Sequence, residues 1–319
     1  MKSVNWAILS TGWIANEFCT ALKTVPNANV VAVASRDARS AEKFAEKYGI
    51  EKHYGSYQAL VEDPSVDIVY IGTPNGMHSE NVYMCLEANK HVLCEKPLGL
   101  NSYEVDSMVK AARSRKLFLM EAMWTRFFPA VIQAKQWLMD RLIGEIKLIK
   151  AEFSSTESFM EKKWLWTPEM HGGSLYDAGI YPVSVASFFA GVQPSEVTSL
   201  SVSSRSGVDE FVTIGFTYSF GIASLACTLS LNSDSSAYLC GTKGYIHIPY
   251  FLNADKAILH VHGKEEVIFN EPYTGNGYQY EAQAVTDCLI DGLLESPAMP
   301  LDESLEISKT MDRIRNCWQ

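Results

Sequence analysis

Val4-Asn-Trp-Ala-Ile-Leu-Ser10-Thr11-Gly12-Trp13-Ile14-Ala15 opens the chain with an apolar run, a break of small residues, and the start of an amphipathic stretch. Val4–Ser10 reads as a strand and Trp13–Thr24 as the helix after it. The break lies where a dinucleotide-binding turn of the form G-x-G-x-x-G/A belongs. A glycine there lets the backbone approach a pyrophosphate, and the free N–H groups and dipole of the helix start favour the negative charge. Gly12 and Ala15 keep two of the three small positions, whereas Ser10 stands where the first glycine is expected. By itself the turn reads equally well as a plain strand–helix connection.

The pattern continues outward from this unit. Asn29–Ser35 reads as a second strand and Ala38–Tyr48 as a helix of alternating charge. Val66–Gly72 is a third clear strand, with a helix through Met84–Asn89. His91–Cys94, a helix over Tyr103–Ser114, and Leu117–Glu121 complete a series of alternating elements. Such alternation predicts a parallel sheet of right-handed βαβ units. After Arg126-Phe-Phe-Pro129 the period changes. A helix over Ala130–Arg141 is followed by period-two segments at Ile146–Ser154, Ser195–Ser203, Glu210–Tyr218, Gly221–Leu231, Tyr245–Ile248 and Lys256–His262. Consecutive strands without helices between them predict a largely antiparallel open sheet in an α+β domain. Helical patterns at Tyr280–Gly292 and Leu301–Asn316 close the chain. A chain of 319 residues exceeds what one core usually organises, so two domains are expected, 1–122 and 123–319, the last helices packing back toward the first.

Composition removes several function classes. A net charge of −10 without a concentrated basic stretch argues against a nucleic-acid partner. The seven cysteines are scattered, odd in number and never in a C-x-x-C pair, as expected of reduced thiols in a cytoplasm. The N-terminal apolar run is too short for a signal peptide, and no stretch approaches the ~20 apolar residues of a membrane helix. The expectation is a cytoplasmic protein with a small-molecule ligand.

Three further stretches carry chemistry. Ala34-Ser35-Arg36-Asp37 ends the second strand, where an acidic residue holds the ribose of NAD and a basic residue receives the 2′-phosphate of NADP. Ser35 followed by Arg36 predicts NADP(H). Pairing of Arg36 with Asp37 or a helix glutamate, and ribose binding by Asp37, are the competing readings. Glu95-Lys96-Pro97 sets one lysine on a stiff turn at the carboxyl end of a strand, the edge on which an open α/β sheet has its ligand crevice. Thr73-Pro74-Asn75 ends the preceding strand, with His78 one helical turn on; a structural and a functional role weigh about evenly for that histidine.

With Gly172-Gly-Ser-Leu-Tyr-Asp177-Ala-Gly179-Ile-Tyr181, these stretches form a specific set. The chain resembles the Gfo/Idh/MocA (glucose–fructose oxidoreductase/inositol dehydrogenase) family over essentially its whole length. Glu121-Ala-Met-Trp124-Thr-Arg126-Phe127-Phe-Pro129 and the tyrosine at 181 resemble the branch of dimeric dihydrodiol dehydrogenases and NADP-dependent sugar dehydrogenases. The resemblance implies a Rossmann domain joined to an α+β domain. It also implies Tyr181 as the proton-transfer residue, with Asp177 and Lys96 beside it as catalytic residues. The implied cofactor-binding set is Ser10, Thr11, Gly12, Trp13, Ile14, Ser35, Arg36, Thr73, Pro74, Asn75, His78, Glu95 and Lys96. Trp124 and Arg126 join it, at positions that lie along the cofactor.

The chemistry agrees with these roles. A phenol of pKa ~10 is a poor base at neutral pH, and a neighbouring ammonium favours its ionised form. Positions 177 and 181 stand four apart and share a helix face. The expected reaction is hydride transfer to or from a secondary alcohol or carbonyl of a polyhydroxylated substrate, with no metal. His260-Val-His262 lacks a third ligand and reads as a solvated strand. The substrate is expected between nicotinamide and the antiparallel sheet, with specificity set by loop side chains such as Phe159–Trp166. The sheet's outer face, with alternating apolar residues in Phe211–Phe216 and Ala223–Leu231, is expected to form a homodimer. A non-catalytic NADP sensor on the same fold is the rival reading.

Overall fold

The computed structural model describes residues 2–318 apart from 159 and 161. The chain forms two compact units, 1–124 with 274–305, and 125–273 with 306–319. The division thus falls two residues beyond the expected boundary, and the segment 274–305 counts with the first unit. Among the described residues no helix is long and apolar enough to cross a membrane.

The first unit begins with β1 (Val4–Leu9), α1 (Trp13–Leu22), β2 (Ala28–Ala34), α2 (Ala38–Tyr48), β3 (Lys52–Tyr54) and α3 (Tyr57–Val61). It continues with β4 (Ile68–Ile71), α4 (His78–Glu87), β5 (His91–Glu95), α5 (Ser102–Arg115) and β6 (Leu119–Ala122). The strands pair in parallel in the order β3-β2-β1-β4-β5-β6. The order reverses between β1 and β4, the switch point at which such sheets open a ligand crevice at the strands' carboxyl ends. Runs such as Ile68-Val-Tyr-Ile71 are buried at every position, because helices cover both faces. One face packs Leu9, Ile71, Val82, Leu86, Met108 and Val109 into a single core. On the other, the Tyr70 ring stacks on Phe18 of α1 at 3.7 Å. Strand β3 is absent from the sequence reading, since its three residues, Lys-His-Tyr, none of them buried, carry no apolar period.

The second unit contains α6 (Pro129–Met139), β7 (Ile146–Ser154), α7 (Ile180–Ala190), β8 (Glu196–Ser203), β9 (Asp209–Tyr218), β10 (Gly221–Thr228), β11 (Ala237–Gly241), β12 (Gly244–Ile248), β13 (Lys256–Val261) and β14 (Val267–Asn270). The eight strands run β14-β13-β12-β11-β7-β10-β9-β8. All neighbours are antiparallel except β7 and β10. Helix α7 covers β7 and β10, and α6 covers β12 and β13.

One expectation is corrected here. The apolar sets Val212, Ile214, Phe216 and Ala223, Leu225, Cys227 are buried, on the helix-covered side of the sheet. The outward set is Leu200, Thr213, Ile222 and Ser224, a mixed face rather than an apolar one. Period two is the reason: one face of each strand must be the core, and the more apolar register takes it.

The first unit is completed by α8 (Tyr278–Ile290), which packs on α1 and β1. The last helix, α9 (Leu301–Asn316), counts with the first unit as far as Leu305.

Candidate functional site

The turn after β1 is built from its own small side chains. Ser10 sits at φ 123°, a region that favours glycine, and its hydroxyl accepts the Gly12 N–H at 3.1 Å. Gly12 caps α1 in extended backbone, with no side-chain hydrogen bond to the helix start. A Cβ built at Gly12 meets only Ser10 Oγ, at 3.5 Å. Nothing in the protein therefore requires glycine there. The open space beside an uncapped helix start is a cradle that fits a pyrophosphate, and Trp13 stands exposed next to it. Thr11 and Ser35 hydroxyls lie 3.5 Å apart, joining this turn to the end of β2.

At that end, Asp37 is the cap of α2: its carboxylate accepts from the Ser40 N–H at 3.1 Å and the Ser40 hydroxyl at 2.6 Å. The Ser40 hydroxyl, foremost among these bonds, holds the Asp37 carboxyl below its ordinary range. Ribose binding by Asp37 thus competes with an existing cap. Arg36 is exposed and hydrogen-bonded to Tyr57 rather than folded back on Asp37.

The ends of β4 and β5 are tied together. His78 has no exposed surface; its Nδ1 lies 2.7 Å from the Pro97 carbonyl and its Nε2 2.9 Å from the Thr73 carbonyl. The two carbonyls favour a charged ring, but burial outweighs them and holds His78 below its ordinary value. A neutral ring donates to one carbonyl and clamps the Thr73-Pro74-Asn75 turn to Lys96-Pro97. That is the structural of its two readings, since neither ring nitrogen is left for a ligand. Asn81 holds the Thr73 hydroxyl at 3.0 Å.

Glu95 is buried and receives the Tyr70 hydroxyl at 2.6 Å. The Leu98 N–H donates to buried Glu121 at 2.9 Å. Glu95 and Leu98 are thus fixed to the sheet and Pro97 to α4, while Lys96 between them is half-exposed. A stiff turn presenting one ammonium is what the chemistry requires. Trp124 is buried against Tyr278, their rings stacked at 4.2 Å.

In the second unit, Leu175–Gly179 forms a π turn that runs into α7. Such turns are rare and recur at functional sites. Asp209, opening β9, anchors it by accepting from the Ser174 hydroxyl at 2.9 Å and the Leu175 N–H at 2.6 Å. Gly173, at φ 119°, leaves the space that the Asp209 carboxylate fills. The segment holds Asp177 half-buried and Tyr181 buried, with the Tyr181 ring edge-on to Phe153 at 5.7 Å. Arg126 is buried in the same unit, donating to the Ser184 hydroxyl at 3.0 Å and lying over the Phe188 ring.

Of the loop expected to set specificity, Phe159 lies outside the described residues, and Lys163–Trp166 forms a single 3-10 turn. His260 stacks on Tyr245 at 4.1 Å and pairs with Glu266 at 3.0 Å. Among the described residues no group of three or more His, Cys, Asp or Glu is placed to hold a metal ion.

Sequence reading missed Tyr70, Asp209 and Ser184, which carry no spacing signal.

Residues 4–123 match the Gfo/Idh/MocA oxidoreductase family with its NAD-binding Rossmann fold, and residues 131–247 match the family's C-terminal domain. The chain is 39% identical to a trans-1,2-dihydrobenzene-1,2-diol dehydrogenase of Mus musculus over 325 residues, 98% of this chain and 96% of that one. The Xenopus laevis enzyme of the same name is 40% identical, over 97% of this chain and 96% of its own. Among solved structures, the 3-ketoreductase KijD10 of Actinomadura kijaniata, in complex with NADP and TDP-benzene, superposes with a TM-score of 0.90 at 25% identity, covering 99% and 98% of the two chains. The aldose-aldose oxidoreductase of Caulobacter crescentus shares the fold, with a TM-score of 0.90 at 22% identity over 99% and 97% of the chains.

Proposed function

Since the chain belongs to the Gfo/Idh/MocA oxidoreductase family, we propose that it is an NADP(H)-dependent dehydrogenase or reductase acting on a secondary alcohol or carbonyl of a cyclic diol or sugar. The observation that carries this reading is Lys96, left half-exposed while Glu95, Pro97 and Leu98 around it are fixed. The names of the mouse and frog relatives support a diol substrate, and that of the KijD10 3-ketoreductase a carbonyl one. No observation favours the non-catalytic sensor.

The first unit is assigned to the cofactor and the second to substrate. The Ser10–Ile14 turn and α1 would hold the pyrophosphate, Ser35 and Arg36 the 2′-phosphate, and Thr73–Asn75 with Glu95 and Lys96 the nicotinamide end. Trp124 and Arg126 keep their place in this set as supports, both being buried. When bound, the nicotinamide supplies or accepts the hydride. The chain's part is one proton and the orientation of one oxygen. Tyr181 gives or takes the proton at its phenol oxygen. The Lys96 ammonium bonds the substrate oxygen and favours the ionised phenol. Asp177, on the same helical face as Tyr181, orients the neighbouring hydroxyl. An absorbance assay at the nicotinamide band, with sugars and trans-diols and with NADP and NAD in parallel, tests this. Absence of turnover across the panel would sink it.

The NADP preference rests on Arg36, free of Asp37, which is engaged as a cap. A charge-assisted hydrogen bond contributes ~1.5–3 kcal/mol, so Arg36→Ala is expected to weaken NADP binding roughly 10- to 100-fold in a fluorescence titration. Unchanged NADP-over-NAD preference in that variant would remove the assignment.

A homodimer through the open face of the eight-stranded sheet completes the proposal. Leu200, Val202 and Ile222 are exposed there, beside a groove of about 730 Å³ lined by Lys150, Thr213, Ser224 and Tyr238. The groove is assigned to association rather than to substrate, because none of the proposed catalytic residues lines it. Light scattering at micromolar concentration is expected to give twice the mass of one chain; a monomer overturns this.

A further inference from the structure

Helix α1 carries an amide at the end of its first turn. Asn16 Nδ2 donates to the Gly12 carbonyl at 2.8 Å and to the Thr11 carbonyl at 3.3 Å. The Gly12 carbonyl also accepts the Asn16 N–H at 3.1 Å, the first bond of the helix. In a trans peptide the N–H points away from the carbonyl of the same unit. Holding the Thr11 and Gly12 carbonyls on the helix side therefore sets the directions of the Gly12 and Trp13 N–H groups. The first goes to the Ser10 hydroxyl oxygen at 3.1 Å. That hydroxyl, having accepted, keeps its own hydrogen to donate. The second faces the helix start, where the dipole favours an anion.

Asn16 is itself held from α2. Lys47 Nζ donates to its Oδ1 at 2.7 Å. The Tyr48 hydroxyl lies 3.1 Å from the same oxygen and 3.0 Å from the Asn16 carbonyl. A lysine only donates and a carbonyl only accepts, so one orientation of the amide satisfies both sides. Asparagine is a poor residue for a helix body, because its side chain competes for the backbone. Here that competition ties down the turn after β1. Lys47 is exposed, so its bond adds little to folding.

We propose that Asn16 is a positioning residue of the cofactor site, setting the Ser10 hydroxyl and the Trp13 N–H against the pyrophosphate through the Thr11 and Gly12 carbonyls. Lys47 and Tyr48 hold it in that orientation. The role rests on the dinucleotide reading of this turn and deepens it at the pyrophosphate alone. Ser35 and Arg36, at the end of β2, answer to a different part of the same ligand. Loss of Arg36 changes the ratio of NADP to NAD affinity, whereas loss of Asn16 lowers both by one factor.

The test is fluorescence titration of NADPH and NADH, with adenosine 2′-phosphate as competitor, on the full-length wild type, Asn16→Ala and Asn16→Asp. Asn16→Ala is expected to weaken both dinucleotides roughly 3- to 10-fold at an unchanged ratio, the scale of a lost pair of neutral hydrogen bonds. Adenosine 2′-phosphate has no pyrophosphate and should bind this variant as it binds the wild type. A general loosening of the fold would not spare it. Asn16→Asp keeps an acceptor for Lys47 but turns a carboxylate oxygen toward two carbonyls and the anion. It should bind both dinucleotides more weakly than the alanine variant. Equal dinucleotide affinities in wild type and Asn16→Ala overturn the role, as does a fall for NADPH alone or an equal fall for adenosine 2′-phosphate. A wild type that binds neither dinucleotide overturns the cofactor reading itself, and the role with it. Should Asn16→Ala not fold, Tyr48→Phe keeps the ring contact with Phe44 at 4.6 Å and removes one donor to Asn16. It is expected to lower both affinities together by about 2-fold, and no change overturns the role.

Discussion

Lys96→Met and Tyr181→Phe are each expected to lose turnover by a factor on the order of 10²–10⁴ while still binding NADPH, because that is what one positioned proton transfer contributes. Both substitutions spare the surroundings. Methionine keeps the apolar stem of the lysine, and the turn stays fixed by Glu95 on Tyr70, Pro97 on His78 and Leu98 on Glu121. Phenylalanine keeps the edge-on contact with Phe153 and removes a single oxygen. Melting temperatures near that of the wild type, with kcat reduced and NADPH fluorescence titrations retained, would complete the result. Full turnover in either variant removes that residue from the mechanism.

Asp209→Ala carries the largest expected effect on stability. Its carboxylate is the acceptor for the Ser174 hydroxyl and the Leu175 N–H, both at the start of the turn that carries Asp177 and Tyr181. Removing it leaves buried donors unmatched and empties the space beside Gly173. Loss of hydrogen bonds to a charged acceptor costs about 3 kcal/mol, a fall in melting temperature of roughly 6–12 °C for a unit of this size. Asp209→Asn should lose less, since one oxygen still accepts and the cost of burying a charge, which pushes the Asp209 carboxyl up, disappears. Differential scanning calorimetry of the two variants checks the order; an alanine variant as stable as the wild type would refute the anchoring role.

The parallel sheet was legible because its central strands carry short apolar runs, such as Ile68–Ile71, and amphipathic stretches alternate with them. What escaped has physical causes. β3 is too short and too polar to show a period. α7, Ile180-Tyr-Pro-Val-Ser-Val-Ala-Ser-Phe-Phe-Ala190, is buried nearly all round, so no amphipathic stripe marks it as a helix. The outer face of the antiparallel sheet was misjudged because alternation reveals two faces but not which one the helices cover. At the candidate site, Lys96 was readable from its proline and its place after a strand. The ties that fix it were not, since Tyr70, His78 and Glu121 meet that turn only through the fold.

The return of residues 274–305 to the first unit has a consequence for biosynthesis. A ribosome releases the six parallel strands long before α8, so α1 emerges with the surface that α8 later covers still bare to water. The nascent chain must therefore wait, collapsed but unfinished, for nearly its full translation before that hydrophobic seam closes. Truncation before Thr274 would strip the seam permanently, and chaperone dependence should concentrate there.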